Sequence, residues 1–218
     1  MKNIILIAPP AAGKGTQSKL ISAEYNIPHI STGDLLRDEV VSGSALGLML
    51  KQEMDRGGLI SDDTIVNLLR DRITQVDCNN GYILDGYPRN VNQAIIYENM
   101  IQELGKSVGT VIFMDIDKEI TIKRTLSRMV CTACGASYNK EVPELKPRND
   151  GFCDKCGHNL QVRSDDSLET AYARYNTYIA STSPLIEYYR NKGILKEIKI
   201  EETDSTQAVF NKIKSIIG

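Results

Sequence analysis

The sequence predicts an α/β protein built on a parallel sheet, and three features carry that prediction. Unbroken apolar runs recur at Ile4–Ile7, Gly81–Leu84 and Val111–Met114, the pattern of strands buried on both faces. Segments of helical apolar period alternate with them. A turn of proline and small residues passes at once into a helix start, Gly13-Lys14-Gly15-Thr16.

The first strand ends in Ala8-Pro9-Pro10-Ala11-Ala12, and Gly13, Lys14 and Thr16 open a helix running through Leu20 and Ile21. The first turn of a helix holds unpaired N–H groups and the positive end of a dipole. Small residues let such backbone close around phosphate oxygens, and Lys14 adds a mobile positive charge. This is a phosphate-binding loop. Its match to G-x-x-x-x-G-K-[ST] is imperfect, with Ala8 at the first glycine and Gly15 between Lys14 and Thr16. An ordinary strand, turn and helix with a surface lysine would read alike.

Ile27–Ile30 reads as a short strand, and Ser31-Thr32-Gly33-Asp34-Leu35-Leu36-Arg37 as a helix start capped by Ser31 or Thr32. Residues 43–60 are richer in Gly and Met, with a break at Gly57-Gly58. Ser61-Asp62-Asp63 starts another helix, with Ile65, Leu68, Leu69 and Ile73 on its apolar face. The second strand ends in Asp85-Gly86-Tyr87-Pro88-Arg89. A carboxylate there lies at the sheet edge where ligands bind, and can hold a hydrated Mg²⁺ beside phosphates. Arg89 is placed to clamp a second phosphate, with Gln93 one helical turn beyond; a surface ion pair is the plainer alternative. After the third strand, Asp117 caps a helix expected to carry Arg124 and Arg128 four apart on one face. Two solvated arginines would read the same way.

Residues 131–156 change character. Cys131-x-x-Cys134 and Cys153-x-x-Cys156 are each followed by Gly, the spacing of a four-thiolate zinc ribbon. Closed coordination leaves no open position, so the metal is structural and replaces a core this insertion is too small to build. Disulfides are the alternative in an oxidising compartment. His158 is not expected to ligate, and Cys78 is an odd, inert thiol. Asp166 and Glu169 have capping-box spacing for a helix carrying Arg174 and Pro184. Ile194–Ile200 gives a last strand, and Thr206 a closing helix with Val209, Phe210, Ile213, Ile216 and Ile217 inward.

The 218 residues carry 26 Lys+Arg and 28 Asp+Glu, a net charge of −2 that gives no general attraction to nucleic acid or an anionic membrane. No apolar stretch is long enough to span a bilayer, and the N-terminal run does not read as a cleaved signal. A cytoplasmic setting is expected. Many separated arginines around one Gly-Lys loop point to two phosphate-bearing ligands, hence to phosphoryl transfer. There are only two histidines, and no Ser-His-Asp or Cys-His pattern is visible. An acceptor phosphate is already an anion and needs no general base, so screening, alignment and exclusion of water suffice.

With these motifs in order, the chain resembles the adenylate kinases of the long, zinc-lid bacterial type over nearly its whole length. The resemblance rests on the loop 8–16, Ser31–Arg37, Gly58-Leu59-Ile60, Asp85–Arg89 with Gln93, Arg124, Arg128, the four cysteines, Arg163-Ser164-Asp165-Asp166, Arg174 and Ser183–Ile186. It implies a P-loop fold with a five-stranded parallel sheet flanked by helices. The core would be 1–30, 61–126 and 165–218, with a helical NMP-binding domain at 31–60 and a zinc-ribbon lid at 127–164. It implies the reaction MgATP + AMP ⇌ 2 ADP by a monomer that binds ATP, AMP and ADP and neither nucleic acid nor membrane.

By this resemblance Lys14, Asp85, Arg89, Arg128, Arg163 and Arg174 are catalytic. Ala11, Ala12, Gly13, Lys14, Gly15, Thr16, Arg124, Arg128 and Tyr138 bind ATP. Thr32, Arg37, Gly58, Ile60, Gly86, Arg89, Gln93, Arg163 and Arg174 bind AMP. Cys131, Cys134, Cys153 and Cys156 hold structural zinc, and magnesium arrives with ATP. Asp165 and Asp166 belong to the lid hinge or its closing contacts. Ala8 and Ala11 stand where the family usually has glycine, and Glu201-Glu202 replaces its Asp-Gly. An alanine held at φ > 0 costs about 1 kcal/mol or more. A kinase for another nucleoside monophosphate, a non-catalytic nucleotide binder and a zinc ribbon for nucleic acid are the rival readings. Thr32 with Gln93 favours adenine, the arginines argue against a pure binder, and the acidic balance argues against nucleic acid.

Overall fold

The computed structural model describes residues 2–55, 60–162 and 166–218. Gly57, Gly58, Arg163, Ser164 and Asp165 therefore lie outside the described residues, including two expected nucleotide-site residues, Gly58 and Arg163.

Five strands form one wholly parallel sheet: β1 (Lys2–Ile7), β2 (His29–Ser31), β3 (Gly81–Asp85), β4 (Thr110–Ile116) and β8 (Leu195–Ile200). Their order is β2-β3-β1-β4-β8, so β1 is central. Residues of β1 are buried from Asn3 to Ile7 because both faces are covered. On one face Ile5 and Ile7 pack with Leu69, Ile73, Tyr97 and Leu185, from α4 (Asp62–Ile73), α5 (Val91–Glu103) and α7 (Leu168–Asn191). On the other, Ile4 and Leu6 meet Ile21 of α1 (Lys14–Tyr25) and Val209, Phe210 and Ile213 of α8 (Thr206–Ile217). Alternation of side chains across a pleated strand sends them to both layers, each buried isoleucine worth about 2 kcal/mol. Two glycines let neighbouring chain approach β1. A Cβ on Gly81 (φ 126°) would lie 2.2 Å from the Lys2 carbonyl oxygen, and one on Gly109 (φ 83°) 2.0 Å from that of Asn3.

Between β2 and β3, α2 (Thr32–Ser42) lies against α3 (Ala45–Asp55) and α4. Ser31 caps α2 and Ser61 caps α4, each hydroxyl accepting the N–H three residues on. After β4 comes α6 (Lys118–Leu126), and then a small antiparallel sheet of β5 (Arg128–Cys131), β6 (Ser137–Asn139) and β7 (Leu160–Val162), ordered β6-β5-β7. Its buried centre is Met129, Cys131, Ala136, Tyr138 and Cys153.

Some expectations are corrected. The helix carrying Arg124 stops at Leu126, and Arg128 opens β5, so the two arginines do not share a helical face. Ser127 closes that helix: its hydroxyl donates to the Lys123 carbonyl at 2.8 Å and to Asn139 Oδ1 at 2.9 Å, turning the chain into β5. The cap of α7 is Ser167, accepting from Thr170 N–H at 3.1 Å, and Asp166 is freed for another task. Asp117 stands at the N-cap of α6, but its carboxylate makes no cap bond and pairs with Lys199. Arg89 precedes α5, whose cap is Asn90. Ile216 and Ile217 are only partly buried, and Cys78 is fully so.

Candidate active site

The phosphate loop leaves the C-terminal end of central β1, where parallel sheets bind ligands. Ala11 has φ 59° and Gly13 φ 88°, whereas Ala8 is not in the left-handed region. The Ala12 N–H donates to the Pro9 carbonyl at 3.3 Å, and Gln17 N–H to Gly13 O at 3.0 Å begins α1. The N–H groups of Lys14, Gly15 and Thr16 thus form the open first turn of a helix, suited to an anion.

Asp85 ends β3 beside that turn. Its Oδ1 lies 3.0 Å from Lys14 Nζ, and its Oδ2 lies 3.1 Å from His29 Nε2. Burial alone would push the Asp85 carboxyl up; the His29 hydrogen bond and the Lys14 charge outweigh it and hold the pKa at about 2. The chain next turns at Gly86, whose carbonyl accepts from Thr32 Oγ1 at 3.2 Å and Arg89 Nε at 2.8 Å. Gln93 is buried. Its Oε1 accepts the Arg89 N–H at 2.8 Å, and its Nε2 donates to Asp62 Oδ1 at 2.7 Å. Lys14, Thr32, Asp85, Gly86, Arg89 and Gln93 are therefore one connected group. Arg37 is exposed and pairs with Asp34, one turn back on α2. Ile60, half-buried, sits just before the cap of α4.

A second group forms around Asp166, whose side chain is fully buried. Its carboxylate takes Arg128 in two bonds, Nε at 2.8 Å and Nη2 at 2.6 Å, and Arg174 Nη1 at 3.3 Å. Sequence alone placed Asp166 among lid-hinge or closing contacts; its geometry makes it the common anion of two expected phosphate-binding arginines. Arg124 is half-buried in a cavity of about 130 Å³, with burial drawing its pKa down.

The Sγ atoms of Cys131, Cys134, Cys153 and Cys156 all lie within 4.8 Å of one another, and all four cysteines are free. The two halves repeat one turn: Gly135 N–H donates to Cys131 O at 2.9 Å, and Gly157 N–H to Cys153 O at 2.8 Å. Sulfurs around a tetrahedral zinc at ~2.3 Å would be ~3.8 Å apart. Cys131 and Cys156 are 3.4 Å apart here and Cys134 and Cys153 3.5 Å, so the cluster can hold a metal ion of that kind. His158 turns its Nδ1 to the Cys156 carbonyl at 3.2 Å.

The Tyr138 side chain is buried beneath the small antiparallel sheet, within 3.4 Å of Cys153 Sγ, and its oxygen accepts Asp154 N–H at 2.7 Å. The hydroxyl therefore packs against the cysteine cluster. His29 and Asp62 were not anticipated. His29 stands 56 residues from its partner, and the available signal was register: Ser31 pairs with Asp85 across β2 and β3, two residues on from His29.

The family model described as "Adenylate kinase" matches residues 6–194. An adenylate kinase of Clostridium perfringens is 44% identical over 215 residues, covering 99% of this chain and 98% of the relative. One from Archaeoglobus fulgidus is 42% identical over 215 residues, covering 99% and 97%. One from Clostridium tetani is 41% identical over 216 residues, covering 99% and 98%. With the phosphate loop, the arginine groups and the four-cysteine cluster in one parallel α/β frame, the chain belongs to the adenylate kinase family.

Proposed function

We propose that this adenylate kinase family member carries out reversible phosphoryl transfer between MgATP and AMP at the edge of β1 and β3, with the following division of labour. Lys14 and the amides of Ala11, Ala12, Gly13, Gly15 and Thr16 hold the ATP phosphates, and Arg124 stacks on the base. Thr32, Arg37, Gly58, Ile60, Gly86, Arg89 and Gln93 hold AMP. Arg128, Arg163 and Arg174 close on the transferring group and spread its charge. Asp85 orders water around Mg²⁺, which offsets phosphate charge when it arrives with the nucleotide. The donor γ-phosphoryl loses its bond to the β-phosphate oxygen and gains one to an AMP phosphate oxygen, with no proton to move.

Residues 1–30, 61–126 and 165–218 are read as the core, 31–60 as the AMP-binding domain and 127–164 as the lid. Lid closure would exclude water from the reacting groups. The cysteine cluster is read as a structural zinc site, the molecule as a monomer, and the setting as cytoplasmic. No helix among the described residues is long and apolar enough to cross a membrane.

The observation that carries this reading is the Lys14–Asp85 pair, 3.0 Å apart at the mouth of the phosphate loop and joined through Gly86 to Thr32 and Arg89. A coupled assay with Mg²⁺ and AMP, GMP, CMP or UMP as acceptor tests it, on the parent chain and on Lys14→Ala. AMP is expected to be the preferred acceptor, with turnover falling at least a hundredfold in Lys14→Ala. Preference for another acceptor, or equal turnover in the two proteins, would overturn the assignment.

A further inference from the structure

Gln93, in the first turn of α5, is fixed both along its backbone and at its tip. Its N–H donates to Asn90 Oδ1 at 2.9 Å, and its carbonyl accepts from the Tyr87 hydroxyl at 3.2 Å. At the end of the side chain, Oε1 accepts the Arg89 N–H at 2.8 Å and Nε2 donates to Asp62 Oδ1 at 2.7 Å. Asp62 is the first residue of α4 and is itself braced, because Asn92 Nδ2 donates to its Oδ2 at 3.1 Å. These partners leave the Gln93 amide no choice of orientation. A backbone N–H can only donate, and an ionised carboxylate can only accept. Turned over, the amide would set its NH₂ against the Arg89 N–H and its oxygen against the Asp62 carboxylate. Among the described residues, one N–H of Nε2 and one lone pair of Oε1 are left without a partner. Gln93 is only 7% exposed, so an amide mismatched to a ligand has little water to turn to.

We propose that Asp62 is a positioning residue that sets the specificity for the acceptor base. Its carboxylate locks the Gln93 amide in the orientation that takes a 6-aminopurine and rejects a 6-oxopurine. The proposal rests on the reading above, in which Gln93 holds AMP. Adenine presents a donor at its 6-amino group beside an acceptor at N1. The free lone pair of Oε1 and the free N–H of Nε2 match that pair. Hypoxanthine presents the reverse, an acceptor at O6 beside a donor at N1–H. Against the locked amide it sets oxygen to oxygen and N–H to N–H. An amide free to turn over would match hypoxanthine instead, so the glutamine alone does not decide between the two bases. Asp62 does, from α4, without touching the nucleotide. Two mismatched buried polar pairs are worth about a hundredfold in discrimination.

Initial rates with MgATP as donor and AMP or IMP as acceptor test this, on the parent chain, on Asp62→Asn and on Gln93→Ala. The parent should favour AMP over IMP about a hundredfold in kcat/KM. Asp62→Asn keeps the shape but offers one carbonyl to two donors, and its amide can donate to a turned Gln93. The AMP-to-IMP ratio should then fall about tenfold, with KM for AMP raised and KM for ATP held within about twofold. The ratio does not depend on how much of a variant is folded, so a merely structural role for Asp62 would leave it unmoved. A ratio unchanged in Asp62→Asn but lowered in Gln93→Ala overturns the proposal and keeps Gln93 on the acceptor base. A ratio unchanged in both overturns that placement as well. Calorimetric titration of AMP and IMP into the same three proteins gives the ratio without chemistry, and a fall in Asp62→Asn there supports the proposal even if no phosphoryl transfer is seen.

Discussion

Ala11 is held at φ 59°, where an L-residue meets its own Cβ against the backbone, and Ala8, three residues earlier, is not. Replacing each by glycine should therefore move stability in opposite directions. At position 11, glycine removes about 1–2 kcal/mol of left-handed strain. It returns about 0.4–1 kcal/mol through the greater freedom of the unfolded chain. The net is a gain of about 0.5–1 kcal/mol. For a chain of this length that raises Tm by about 1–4 °C. At position 8 there is no strain to relieve. The Ala8 methyl is buried against the cluster around Ile4, Leu6 and Ile21. Ala8→Gly therefore loses about 0.8 kcal/mol of burial and about 0.5–1 kcal/mol of chain entropy. It should destabilise by about 1–2 kcal/mol. Urea denaturation of the parent and the two variants measures both, with equal m-values showing that the change is in stability alone. The reasoning fails if both variants shift the midpoint the same way, or if Ala11→Gly loses 1 kcal/mol or more.

Three further outcomes follow from the site. The Asp85 pKa of about 2 lies below its unfolded value of ~3.9, so the unfolded chain binds the proton more readily and acid favours unfolding. About 2 kcal/mol of stability is present above pH 4 and lost as pH falls toward 2; urea midpoints across that range should fall less steeply in Asp85→Asn, and parallel curves would contradict this. Tyr138→Phe removes the hydroxyl from Cys153 and from the Asp154 N–H, so chelator competition should show metal affinity about tenfold weaker. An unchanged affinity would mean the hydroxyl does not support the cluster. Asp166→Asn leaves Arg128 and Arg174 without their shared charge and should cost about 2 kcal/mol in urea denaturation; a loss below 0.5 kcal/mol would show the two arginines need no such partner.

The parts of this fold readable in advance were those with local causes. The apolar runs of β1, β3 and β4 and the helix starts at Ser31-Thr32 and Ser61-Asp62-Asp63 reside in a few consecutive residues. The two C-x-x-C turns were equally plain, because ligand spacing is itself a local constraint. What the chain hid depended on frame or distance. Arg124 and Arg128 have helical spacing, but only the bond from Ser127 back to Lys123 and across to Asn139 ends the helix between them. Asp166-x-x-Glu169 and Ser167-x-x-Thr170 offer competing caps one residue apart, and the arginines decide by claiming Asp166. The His29 contact with Asp85 and the Tyr138 contact with Cys153 are tertiary, so nothing near either residue announces them.

The buried Asp166 carboxylate has a thermodynamic consequence. It already offsets one of the two positive charges of Arg128 and Arg174, and both guanidinium groups are partly stripped of water by the protein itself. On the proposed reading, an incoming phosphate does not meet bare cations; it displaces an internal counter-ion. Binding there is an exchange between two anions of similar appetite, so its free energy is small compared with the charges involved and its dependence on ionic strength is shallow. Selectivity then falls to shape: a trigonal cap of phosphate oxygens can span both guanidinium groups where a flat carboxylate reaches one of them squarely and the other at an angle.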